Sequence, residues 1–153
     1  MARNTAYCYL NGRCLFKYNK IGDFHEVFHE VNKGPDTVHI PDSGPGRFRI
    51  PSTQIDFGIC VCYDQSLSYF DPATQNRRTL QFTANPVDVH VLLSAHIQPD
   101  FRAANLKPGG YLLSCSSADN CNTVMTTDLR QGRVAQLPSI RVQDEIALYN
   151  IVL

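Results

Sequence analysis

The sequence predicts an α/β domain over residues 1–153, built as a mixed β-sheet with helices packed on it. Three observations carry that expectation. Gln54–Asp64 and Val87–Ser94 are apolar runs of strand length, rich in β-branched residues. Two stretches near them, from Asp71 to about Phe82 and from Asp100 to Lys107, are helix-compatible and end at proline or glycine breakers. Short strand-like runs joined by turn residues flank this centre. A chain of 153 residues is long enough for a core without disulfides.

In chain order, Ala6–Leu10 and Arg13–Tyr18 read as strands joined by Asn11-Gly12. Both turn residues tolerate positive φ, so the dipeptide signals a type I′ hairpin. Asp23 to Gly34 could form a short helix, capped by Asp23 and stopped before Pro35. Val38–Ile40 is a brief strand, Pro41–Gly46 a turn cluster, and Arg47–Ile50 a strand leading into Gln54–Asp64. After the strand from Val87 and the segment Asp100–Lys107, four further strands are expected. They are Tyr111–Ser116, Thr123–Thr127, Arg133–Leu137 and Glu145–Leu153, with a turn at Asp128–Gly132. His90, inside the second apolar run, reads as a core or edge histidine.

Composition narrows the function. Fourteen basic and fourteen acidic side chains give a formal net charge of zero, which argues against a nucleic-acid or anionic-membrane surface. No apolar run approaches the ~18 residues of a spanning helix, and the first residues lack a secretory apolar core. Six cysteines show no Cys-x2-Cys zinc knuckle, and Cys60 and Cys62 are too close on one strand to bridge. Reduced thiols in the cytoplasm are the expectation.

Two motifs carry chemistry. His25-Glu26-Val27-Phe28-His29 matches His-Glu-x-x-His, which on a helix places two imidazoles on one face with a carboxylate beside them, as in zinc peptidases. The longer pattern fails, because Asn32 and Pro35 stand where Gly and a third His belong. A coincidental match is the plainer account. In Gln54–Asp64, alternation puts Ile55, Phe57, Ile59 and Val61 on one face and Gly58, Cys60 and Cys62 on the other. A cysteine at the end of such a strand is held rigidly where substrate can reach it. Read as residues alone, Cys60 and Cys62 serve equally as small core hydrophobes.

The order of these features resembles the nitrilase superfamily of carbon–nitrogen hydrolases, from Asn4 to about Gly132. Gly58-Ile59-Cys60-Val61-Cys62-Tyr63-Asp64 is similar to the family's nucleophile motif and selects Cys62 over Cys60. Asn11-Gly12-Arg13 and Tyr18-Asn19-Lys20 resemble the strand pair that leads to its lysine. Glu26 is similar to a second acidic residue near a Pro-Gly turn, here Gly34-Pro35. The resemblance implies a partial α-β-β-α sandwich. It also implies attack of the Cys62 thiolate on a small amide or nitrile, with Lys20 binding the oxyanion. Neither a cofactor nor a metal is required. Residues 1–20 contain no Asp or Glu, so the family's upstream glutamate has no counterpart, and Glu26 is the carboxylate left to move the proton. The part of the sheet that precedes the lysine in the family is also missing, which implies self-association or a partner chain completing the sheet. The alternatives are a catalytically impaired remnant that acts as a binding or assembly module, and the zinc peptidase.

Overall fold

A computed structural model describes residues 5–20, 46–66, 68–71, 76–79, 86–95, 98–102, 104–116, 122–128, 133–143 and 146–153. Twelve strands make up most of these residues, and no α-helix occurs among them. The expected α/β architecture with packed helices is therefore corrected to a β-rich one, and the partial α-β-β-α sandwich falls with it.

Both predicted helices within the described residues are replaced. In place of the helix from Asp71 stands an antiparallel pair, β5 (Ser68–Asp71) with β6 (Asn76–Thr79). The cap-like Asp71-Pro72 misleads there. Between Asp71 and Phe82 the sequence has no apolar stripe at helical spacing, and a short helix is stabilised mainly by burying one. In place of the second helix, Arg102 N donates to Asp100 Oδ1 at 2.9 Å, a local turn. Strand β8 (Leu106–Ser116) then begins at Leu106 and runs through Pro108. The proline is accommodated because pairing slips there: Val87 opposes Leu106, but Val89 already opposes Tyr111. The region 23–34 lies outside the described residues, as does the strand expected at Val38–Ile40.

The main sheet has six strands in the order β10-β9-β8-β7-β4-β3. At its centre β4 (Asp56–Val61), β7 (Val87–Ser94) and β8 run parallel. Its flanks are antiparallel: β3 (Arg47–Arg49) on one side, β9 (Thr123–Asp128) and β10 (Arg133–Gln136) on the other. Separate from it, β1 (Thr5–Leu10) and β2 (Arg13–Asn19) form the expected hairpin, with Asn11 at φ 49° and Gly12 at φ 77°. The strand expected at Glu145–Leu153 is shortened to β12 (Ile146–Leu148), which pairs antiparallel with β11 (Arg141–Gln143) in a third two-stranded unit.

The parallel centre is covered on both faces, as its near-continuous apolar strands require. On one face Ala6 and Tyr18 of the hairpin pack on Ile59, flanked by Phe16, Phe48, Val61 and Val91. On the other, Cys60, Leu92 and Leu112 are buried under Ala104 and Phe101. Gly46 sits where nothing larger fits: a Cβ there would lie 2.2 Å from Ile59 O, and Ile59 N donates to Gly46 O at 2.6 Å.

Candidate active site

The strand from Asp56 ends in a 3₁₀ turn, Cys62–Ser66, and Cys62 is its first residue. Cys62 has φ 51°, the left-handed region that a side chain with a Cβ rarely enters. Such a residue costs ~1–3 kcal/mol of local strain and persists only where its surroundings impose it. The result is a thiol on a sharp strand-to-turn corner, at the carboxyl end of a parallel strand. Nucleophile elbows share this geometry.

Asp64 holds the corner. Its Oδ2 accepts from Val61 N at 3.3 Å, which closes the turn on the strand, and from Tyr18 Oη at 2.6 Å. Tyr18 lies two residues before Lys20 and Asp64 two residues after Cys62, so one buried carboxylate ties the two segments together. Lys20 follows the last residue of β2 and is fully buried. Cys62 is only half-buried. Alternation alone would have carried Cys62 on in the face of Cys60; the positive φ takes it out of that pattern. Glu26 lies outside the described residues, together with His25 and His29.

Cys60 is a different kind of thiol. It is fully buried, with Sγ 3.0 Å from Nε2 of the equally buried His90. A cysteine beside a histidine suggests a catalytic dyad, but the electrostatics run the other way. Burial raises the Cys60 thiol well above its ordinary pKa, helped by the nearby Asp64 and Cys62, and lowers His90 to about 4. Both partners are neutral at pH 7, whereas a reactive pair needs a thiolate. Cys60–His90 is a core hydrogen bond.

At the opposite end of the same strands lies a cluster of charges. Asp56 takes a two-pronged contact from Arg49 (Nε to Oδ1 2.9 Å, Nη2 to Oδ2 3.0 Å). It also takes Arg47 at 3.0 Å and Lys107 at 3.1 Å. Lys107 reaches Asp88 at 2.7 Å, and Asp88 Oδ2 accepts from Asp56 N at 2.8 Å. The Arg49 hydrogen bonds hold the Asp56 carboxyl far below the usual carboxylate range against the cost of its burial, with Lys107 and Arg47 adding to them. Burial pushes Asp88 up, but the Asp56 amide and Lys107 outweigh it and leave its pKa lowered.

Sequence reasoning singled out Cys62 and Lys20 but missed the Tyr18–Asp64 bond that links their segments. The available signal was an aspartate two residues past a strand end, a residue that commonly caps its own turn. A cleft of ≈ 370 Å³ lies by Asp88, Gly110, Tyr111 and Val152, and another of ≈ 520 Å³ by Asn11, Cys14 and Pro51. Neither is lined by Cys62. Compared with protein-family models, with curated proteins and with solved structures, the chain matches none.

Proposed function

We propose that the chain is a thiol-dependent hydrolase of carbon–nitrogen bonds, acting on a small amide or nitrile through a thioester at Cys62. The observation that carries this reading is the left-handed Cys62 at the end of a parallel strand, tied through Asp64 and Tyr18 to the segment of Lys20. For an amide, the Cys62 sulfur adds to the carbonyl carbon and the Lys20 ammonium balances the oxyanion that forms. The C–N bond then breaks as the leaving amine takes a proton. Water attacks the thioester, releasing the acid and restoring the thiol. Glu26 is the carboxylate assigned to carry these protons.

Site-resolved alkylation tests the reading. Limiting iodoacetamide at pH 7 is expected to modify Cys62 at least tenfold faster than Cys8, Cys14 or Cys115. Equal rates at the four positions would end it.

A second reading rests on Tyr7 and Tyr9, whose rings stand exposed on β1. In it the chain is a binding module whose hairpin is covered by a second protein chain. Sedimentation across a hundredfold concentration range separates the two readings, since a monomer throughout counts against self-assembly through that face.

A further inference from the structure

The sheet face that buries Cys60 changes character along its length. Register places Cys60 beside Leu92, Leu92 beside Ser114, and Ser114 beside Thr123, so these four share one face of β4, β7, β8 and β9. One step toward the amino end of the parallel strands the same face carries Leu112 and Met125 beside His90, whose Nε2 meets Cys60 Sγ. At the Ser114–Thr123 position it is polar, and unanswered. Ser114 Oγ and Thr123 Oγ1 have no hydrogen-bond partner, although both residues are more than nine-tenths buried. Gln65, in the turn that begins with Cys62, is buried to the same degree. Its Nε2 donates to Asp100 O at 3.1 Å while its Oε1 has no partner. Buried polar atoms are almost always satisfied, and three exceptions near one end of one sheet call for an explanation.

We propose that Gln65, Ser114 and Thr123 form a polar subsite for a neutral carboxamide group. The inference deepens the hydrolase reading and rests on it for its role, by naming the group that a substrate presents at this end of the sheet. The chemistry of the three groups sets the class. Gln65 Oε1 can only accept, so it takes an N–H. A hydroxyl can accept the second N–H or donate to a carbonyl oxygen. A carboxamide supplies two N–H donors and one carbonyl acceptor, which matches that set. A carboxylate does not match, because it offers no N–H to Gln65, and the side chains it would meet on this face, Cys60, His90, Leu92, Leu112 and Met125, are all neutral. Phe101 and Ala104 close over this face, and the Gln65–Asp100 bond fastens the turn to that segment. Entry of an amide requires that segment to lift.

The test is a titration of the full chain carrying Cys62→Ser with propionamide, followed by backbone amide NMR. Propionate and 2-butanone serve as isosteric controls. Saturable shifts at Ser114 and Thr123 are expected with propionamide, with both controls at least tenfold weaker. Ser114→Ala with Thr123→Val should weaken propionamide at least tenfold. Ser114→Ala alone serves as a milder variant if the double one does not fold. Absence of saturable shifts, equal binding of propionate, or variants that bind propionamide unchanged would overturn the subsite. Propionamide binding without fast alkylation of Cys62 keeps the subsite and removes the hydrolase; fast alkylation without propionamide binding does the reverse.

Discussion

The two ends of the parallel strands differ in how their polar groups are treated. At the amino end, Arg47, Arg49 and Lys107 surround Asp56 and Asp88 with contacts of 2.7 to 3.1 Å, and both carboxylates are held ionised. Charge is matched there, and the one non-glycine residue at positive φ, Ser52 at 66°, sits in the turn that joins β3 to β4. At the carboxyl end the chain accepts strain at Cys62, buries an ammonium at Lys20, and leaves Gln65, Ser114 and Thr123 with polar atoms unsatisfied. A sheet that closes one end so completely has no structural need to leave the other so costly. The contrast marks the amino end as a fastening and the carboxyl end as the place for the proposed chemistry.

The contrast is tested most severely at Cys62. Cys62→Ser should remove turnover by a factor of at least ~10³, the scale of losing a covalent nucleophile. Cys60→Ala, two residues away, should leave fast alkylation in place, because its thiol is held neutral in the core. Should Cys60 prove the modified residue, the assignment of the two thiols is inverted. Lys20→Met comes next. Losing an oxyanion-binding group costs ~10²–10³ in rate, so turnover should fall by that factor while fast Cys62 alkylation persists. Loss of both would point to a packing role for Lys20 instead.

At the amino end the effects should appear in stability and not in reactivity. Asp56→Asn removes the charge that two arginines and a lysine share, and should cost about 1–3 kcal/mol in a urea melt. The rate of Cys62 alkylation should remain within about twofold of wild type. A tenfold change would mean that the two ends are coupled, and that the amino end is more than a fastening.

How much of this was legible in the sequence follows from how local each feature is. The hairpin at Asn11-Gly12 was, because a two-residue turn with positive φ is decided by those two residues. Strand β7 matches its predicted span because eight consecutive residues suit a strand buried on both faces. The helix from Asp71 failed because a cap and a proline say where a helix could start, not whether it has a face to bury. The strain at Cys62 was not legible either. It depends on a carboxylate held by Tyr18, 46 residues away in sequence. The orphaned pair Ser114–Thr123 was hidden for the same reason, since only the register of β8 with β9 makes the two neighbours.

The smallest expected effect concerns acid stability, and it separates the core bond from the charge cluster by pH window. Burial lowers His90 from 6.5 to about 4, so between those values the unfolded chain binds a proton that the folded chain refuses. Stability should therefore be full above about pH 6.5 and decline as pH falls toward about 4. Asp56 is also lowered, from an ordinary value of 3.8, and its contribution should fade only below that pH, as its carboxyl begins to protonate. The decline in urea midpoint on acidification should thus have two parts with different owners. His90→Asn should flatten the part between pH 6.5 and 4 and leave the lower one, while Asp56→Asn should do the opposite. If His90→Asn leaves the upper part as steep as in the wild type, the imidazole beside Cys60 is not buried neutral. The case for treating Cys60 as inert and Cys62 as the working thiol would then lose its electrostatic half.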